Sequence, residues 1–138
     1  MGQLNIPIKV ANWFDLERVA LGERSEPARL VETQALVDTG AVRFYLQSSL
    51  MRRLGLRPAR KVTSRTMADV SVERDVYSPV DLEIQGRSGT FEVVELPDNL
   101  PNVVGQIPLE QLDWVVDLRN RRLIPNPEHK HGELCDDF

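Results

Sequence analysis

The sequence predicts a mainly β domain with one or two short helices. One observation is the alternation near the start of the chain, where Leu4, Ile6, Ile8 and Val10 occupy every second position and so share one face of a strand. Another is that short apolar runs recur between turns rich in Gly, Pro and Asp. Helical spacing of apolar residues, by contrast, is confined to brief stretches.

The first third of the chain is expected to form strands. After the alternating start, "FDLERVAL" at 14–21 is interpreted as a further short strand. The polar segment "GERSEP" at 22–27 contains Gly and Pro, which is typical of a turn. A second long strand follows in "ARLVETQALVDTG" at 28–40.

A change of period in "QSSLMRRLG", residues 47–55, predicts a short helix. Its apolar residues lie three or four positions apart, as on one face of a helix. Ser48 or Ser49 can cap the first turn, and Gly55 is suited to end the last one.

Residues 60–85 return to a β pattern. The segments "KVTSRTM" and "VYSPVDLEI" flank the polar "ADVSVERD", which favours a long hairpin with a charged tip. Because Pro79 has no backbone N–H to donate, the second strand is expected at a sheet edge.

The remaining elements complete a single domain. "TFEVVEL" at 90–96 has apolar residues on both faces, which predicts a central strand. Residues 103–127 contain an apolar pair, a glycine, a short helix opened by Pro108 and two closing strands. We therefore expect one domain over 1–127 and a flexible acidic tail over 128–138.

Composition and charge narrow the functional classes. A chain of 138 residues can bury a core without a metal or a disulfide. A net charge of −4 argues against a nucleic-acid partner, because such a polyanion is normally met by a basic surface. No apolar run approaches the ~18 residues of a membrane span, and the lone Cys135 favours a reducing compartment. We expect a cytoplasmic protein that binds neither membrane nor nucleic acid.

The stretch "ALVDTGA", residues 35–41, ends an apolar strand in Asp-Thr-Gly. These three residues alone are explained by chain reversal, which all of them favour. Their context is more specific, because a hairpin follows and "VVG" at 103–105 then leads into a short helix and a closing strand. In this order, residues 30–127 resemble the retropepsin-like aspartic proteases, single-domain enzymes related to retroviral proteases.

The resemblance implies a closed, β-barrel-like sheet and assigns roles to the motif residues. Asp38 would be the catalytic acid, and Thr39 would form a hydrogen bond across a dimer that braces the two active loops. Gly40 would let the backbone approach the substrate. Val104 and Gly105 would support the active loop from beneath.

The resemblance also makes the hairpin at 60–85 a flap that closes over the substrate. Its implied substrate contacts are Ala41 in the active loop and Met67, Ala68, Asp69 and Val70 near the flap tip.

Two departures from the family pattern concern this region. The tip segment "ADVSVERD" lacks the glycine that usually lets a flap open. Val42 stands where many relatives place a Ser or Thr that donates to the carboxylate.

The chemistry of this family requires two carboxylates that share one proton. One deprotonates a water while the other protonates the scissile carbonyl. No second Asp-Thr-Gly or Asp-Ser-Gly exists in the chain. A homodimer is therefore expected, with two Asp38 side chains meeting on its two-fold axis and a polypeptide as substrate. Neither a cofactor nor a metal is expected.

Other interpretations remain open on sequence alone. The glycine-free tip and Val42 are compatible with a binding or assembly module that keeps the fold but cleaves little. An unrelated β-barrel with a coincidental turn is a third possibility. The pair His129 and His131 has a spacing that could suit a surface metal, but a solvated tail is the simpler interpretation.

Overall fold

The computed structural model describes residues 3–65 and 68–129, and this part of the chain is mainly β. The strands are β1 (Leu4–Asn12), β2 (Leu30–Val37), β3 (Phe44–Gln47), β4 (Pro58–Arg65), β5 (Ser71–Ile84), β6 (Arg87–Leu96), β7 (Val103–Val104), β8 (Trp114–Asp117) and β9 (Arg122–Pro125). The helices are α1 (Trp13–Ala20), α2 (Ser48–Leu54) and α3 (Gln106–Gln111).

Seven strands form one mixed sheet in the order β1-β2-β7-β3-β6-β5-β4, and β1 also pairs with β5. The β2–β7 and β3–β6 pairs are parallel, whereas the other pairs in this sheet are antiparallel. Strands β8 and β9 form a separate antiparallel pair. The prediction that β6 is central is confirmed, and so is the long hairpin, which β4 and β5 form. The tip predicted over 68–75 is too long, because β5 begins at Ser71 and pairs with β4 from there.

The alternating start of the chain is confirmed as a strand with one buried face. Ile6, Ile8 and Val10 are at most 3% exposed, whereas the residues between them face solvent. Ile6 lies opposite Ala35 and Val10 lies opposite Val31 of β2, and both partners are also buried. The core thus begins where two apolar strand faces meet.

The strand predicted for 14–21 is wrong, because residues 14–20 belong to α1 and Leu21 is its C-cap. Asn12 caps the helix by accepting the Asp15 N–H at 3.1 Å, and its amide donates to the Leu54 carbonyl at 2.9 Å. Asp15 is the one buried residue of α1. Its carboxylate accepts three bonds from Arg29, one from the backbone and two from the guanidinium.

The Asp15–Arg29 pair predicts a stability that depends on pH. Hydrogen bonding from Arg29 lowers the pKa of Asp15 from 3.8 to about 2. A depressed carboxylate pKa stabilises the fold fully above the unfolded-state value, and this contribution is lost as pH falls toward 2. We expect about 2 kcal/mol of unfolding free energy to disappear in this window.

Urea unfolding at several pH values, compared between the wild type and Asp15→Asn, checks this expectation. The variant should be less stable at neutral pH and should lose less stability on acidification. Parallel pH profiles for the two proteins would show that another carboxylate controls acid unfolding.

The edge position predicted from Pro79 is also wrong. β5 pairs with β4 along its first half and lies between β6 and β1 along its second. Its register with β6 shifts between Tyr77 and Val80, so Pro79 lies in an irregularity of the ladder. A bulge tolerates a missing N–H as well as an edge does.

The helix predicted at 47–55 is confirmed as α2, but its start differs from the expectation. The N-cap is Gln47, which makes no side-chain capping bond, and the Ser49 N–H donates to the Asp98 carboxylate at 2.9 Å. Gly55 ends the helix with a φ of 69°, a conformation that glycine adopts without strain. None of the helices in the described chain has the length and apolar character that crossing a bilayer would require.

Candidate active site

Asp38 lies immediately after β2, at the start of the loop 38–43 that leads into β3. β7 is inserted between these two strands, parallel to β2 and antiparallel to β3. The Asp38 N–H donates to the Val104 carbonyl at 3.1 Å, which extends the β2–β7 ladder to the motif. The backbone at Asp38 is therefore fixed by the sheet, although the residue itself is exposed.

The rest of the loop is held by the start of α3. Gly105 donates its N–H to the Arg43 carbonyl at 2.9 Å, and Gln106 donates to the Ala41 carbonyl at 2.8 Å. The Ile107 N–H donates to the Val42 carbonyl at 2.9 Å. These three consecutive donors satisfy loop carbonyls that would otherwise need water.

Gly105 lies directly beneath this loop. A Cβ at this position would stand 2.4 Å from the Arg43 carbonyl oxygen and 2.7 Å from that of Ala41. Both neighbours are backbone atoms, so no side-chain rotation could make room for them. Val104, just before it, is completely buried.

The exposed side of the loop carries the motif side chains. Asp38 Oδ1 accepts the Gly40 N–H at 2.9 Å, and Asp38, Thr39 and Gly40 are all exposed. Ala41 is half-buried, and Val42 is 54% exposed. One carboxylate oxygen is thus oriented by the loop, and the group can accept or donate a proton at the surface.

A concavity of about 470 Å³ adjoins Asp38 and Thr39. Its other lining residues are apolar, namely Leu4, Val37, Val115, Val116 and Leu118. Three of them come from β8 and the turn after it, and no sequence motif assigns those residues to the site. The only available signal was the apolar run "WVV" at 114–116, which equally fits a core strand.

The flap tip lies apart from this concavity in the described structure. Ala68, Asp69 and Val70 are exposed, and none of them lines it. Asp69 has a φ of 60° and pairs with Arg65 at 2.7 Å. Met67 lies outside the described residues. The loop and its support at 104–105 are brought together, whereas the predicted tip contacts stay a prediction.

A second concavity, of about 630 Å³, lies between β1, β2 and the β5–β6 turn. Pro7, Lys9, Glu32 and Gln34 are among its lining residues, and Lys9 pairs with Glu32 at 3.6 Å. Among the described residues, none that lines this surface has a buried side-chain polar atom without a hydrogen-bond partner. We therefore assign the candidate site by its carboxylate and not by its size.

No group of three or more potential metal ligands is close enough to hold an ion within residues 3–65 and 68–129. His129 instead lies against Asp113, with Nδ1 and Oδ2 separated by 2.5 Å, and Asn126 also donates to that carboxylate. His131 and Cys135 lie outside the described residues, as does most of the predicted tail.

No protein-family model matches this chain, and no curated protein matches it significantly. The assignment of function therefore depends on the loop at Asp38 and on the chemistry that its geometry permits.

Proposed function

We propose that this protein is an aspartic endopeptidase of the retropepsin-like type that acts as a homodimer. The observation that carries the proposal is the exposed Asp38 carboxylate on a loop whose backbone is held on both sides. The Val104 carbonyl holds the start of the loop, and the N–H of Gly105 holds its end. A rigid backbone with an exposed carboxylate is what general acid–base catalysis requires.

The strand pairings support a closed, barrel-like sheet as the scaffold. Pairing runs from β1 through β2, β7, β3, β6 and β5, and β5 pairs with β1 again. In the part of the chain that the structure describes, β4 lies outside this circuit and pairs with β5 alone. The loop 38–43 then projects from one end of the sheet.

A second copy of the chain would supply the second carboxylate. With the two Asp38 groups close together, like-charge repulsion keeps one proton on the pair, so one group is a base and the other an acid. The base takes a proton from water as its oxygen attacks the peptide carbonyl. The acid donates its proton to the carbonyl oxygen, and the resulting diol collapses with transfer of a proton to the leaving nitrogen.

The surface around Asp38 supports this assembly. Thr39 is exposed beside the carboxylate, and the adjoining concavity is lined by Leu4, Val37 and β8. Leu118, on its rim, is 61% exposed. Burial of this apolar surface in a dimer would remove it from water.

Proteolysis should depend on protein concentration. Specific activity is expected to fall on dilution, in step with the loss of dimer measured by analytical ultracentrifugation. Thr39→Ala removes one proposed intersubunit hydrogen bond. The loss of activity and the loss of dimer should therefore both occur at higher protein concentration than in the wild type. A protein that cleaves peptides while remaining monomeric would contradict the shared dyad, and a dimer that never cleaves would favour the binding-module alternative.

A further inference from the structure

The outer half of the β4–β5 hairpin is a ribbon of two strands. β5 pairs with β6 from Val76 to Ile84, whereas among the described residues the part of β5 before Val76 pairs with β4 alone. We call residues 61–65 of β4 together with residues 71–75 of β5 the ribbon. Because two strands without a third are only marginally stable in water, contacts at the base of the ribbon are needed to fix its orientation.

Arg60 lies at this base. It is opposite Val76, where β5 begins to pair with β6, and the register of β4 shifts just before it. The Arg60 guanidinium donates to both carboxylate oxygens of Glu92 in β6, at 2.8 Å for one of them. A bidentate pair of this kind has a defined geometry, so it ties the base of the ribbon to the sheet.

Glu92 also contacts the loop 38–43. Arg43 and Glu92 each lie two residues before the first pair of the parallel β3–β6 ladder, and Arg43 Nη1 is 3.5 Å from the Glu92 carboxylate. Arg43 ends the loop, and its carbonyl accepts the Gly105 N–H. One carboxylate thus connects the base of the ribbon to the segment that carries Asp38.

The electrostatics of this cluster fit a role in orientation. Hydrogen bonding from Arg60 lowers the pKa of Glu92 against a smaller opposing effect of burial, and the charge of Arg43 lowers it further. Glu92 is therefore ionised at neutral pH. The three side chains are 38–44% exposed, so water screens their charges and their contribution to overall stability is small.

We propose that Glu92 is a positioning residue, which holds the ribbon in one orientation relative to the loop 38–43 through Arg60 and Arg43. The inference rests on the proposed function, in which the hairpin closes over the substrate. A ribbon that spends only about a fifth of the time in the binding orientation raises the apparent dissociation constant about fivefold, because only that fraction binds. The loop keeps its backbone hydrogen bonds with Val104 and with the start of α3, so the chemical step should be unaffected.

Peptide hydrolysis by the full chain gives the first test. Glu92→Gln should raise KM about fivefold and leave kcat within about twofold of the wild-type value. Arg60→Gln should also raise KM, and the double variant should be no worse than Glu92→Gln alone, because both substitutions remove one interaction. Asp75→Asn is the matched control. It breaks another exposed pair, in which Lys61 and Asp75 lie 2.8 Å apart within the ribbon, and it should leave KM and kcat unchanged.

Spin-label distances give a second test that needs no catalytic activity. In a Cys135→Ser background, nitroxides are attached at Thr63→Cys in β4 and at Glu110→Cys in α3, both of which are exposed positions. Dilution with unlabelled full-length protein confines each measured distance to one protomer. The distance distribution should become broader in Glu92→Gln and should keep its width in Asp75→Asn.

Three results would overturn the inference: an unchanged distance distribution in Glu92→Gln, additive effects of Glu92→Gln and Arg60→Gln on KM, or a loss confined to kcat. If the wild type cleaves no peptide but Glu92→Gln broadens the distribution, the proposed function fails and Glu92 still positions the ribbon. If the wild type cleaves peptides and the distribution does not change, only the inference fails.

Discussion

Asp38→Asn is expected to lower the rate of peptide hydrolysis by about a thousandfold or more, with fold and dimer unchanged. Asparagine preserves the Oδ1 that accepts the Gly40 N–H at 2.9 Å, so the loop keeps its local hydrogen bond. What it loses is the ionisable group, and general acid–base catalysis contributes about a hundredfold to ten thousandfold. In a homodimer the substitution removes both members of the dyad at once.

The matched control is Asp98→Asn, because Asp98 is also exposed and also accepts a backbone N–H, from Ser49. This variant should retain wild-type activity. Undiminished cleavage by purified Asp38→Asn protein would place the activity elsewhere.

Mixing the two proteins tests whether the carboxylates act as a pair. The wild type and Asp38→Asn are mixed at equal concentrations, high enough for both to be fully dimeric. After subunit exchange, about a quarter of the randomly formed dimers carry two wild-type chains. Activity should therefore fall to about half of that given by the same amount of wild type alone. An enzyme whose subunits act independently would lose nothing on addition of the variant.

The sequence predicts the conformation of the loop 38–43 better than its surroundings because the loop is encoded locally. An apolar strand that ends in Asp38, Thr39 and Gly40 determines both the strand end and the reversal. The α1 error has the opposite cause. The short segment 14–21 is predicted as a strand, but the buried Asp15 anchors a helix through Arg29, a partner on the far side of a turn.

The surroundings of Asp38 depend on contacts between distant parts of the chain. Leu118 and Leu4 reach the same concavity only because β1 and the β8–β9 turn meet beside the loop. Arg60 of β4 and Arg43 of the loop 38–43 likewise both pair with Glu92 of β6. No spacing rule connects such residues, so sequence patterns single out Asp38 as a candidate but do not predict which residues surround it.

Gly105→Ala should be the most damaging substitution outside the motif, with about 2–4 kcal/mol of lost stability and a large loss of activity. The new Cβ would lie 2.4 Å from the Arg43 carbonyl oxygen and 2.7 Å from that of Ala41. Relief requires the backbone of the loop to move away from α3. That movement stretches the bonds that Gly105 and Gln106 donate, at 2.9 and 2.8 Å.

Gly22→Ala separates this clash from the general effect of replacing a glycine. Gly22 has a φ of 75° and open space around the position of a Cβ, so its substitution should cost only about 1 kcal/mol of backbone strain. Urea unfolding measures the free energy of unfolding of Gly105→Ala and of Gly22→Ala. Hydrogen exchange of the Gln106 and Ile107 amides reports directly on the bonds that hold the loop. Exchange at these amides should accelerate in Gly105→Ala alone. Equal stability of the two variants would mean that the loop accommodates a methyl group, and the close contact of Gly105 would then not be what holds Asp38 in position.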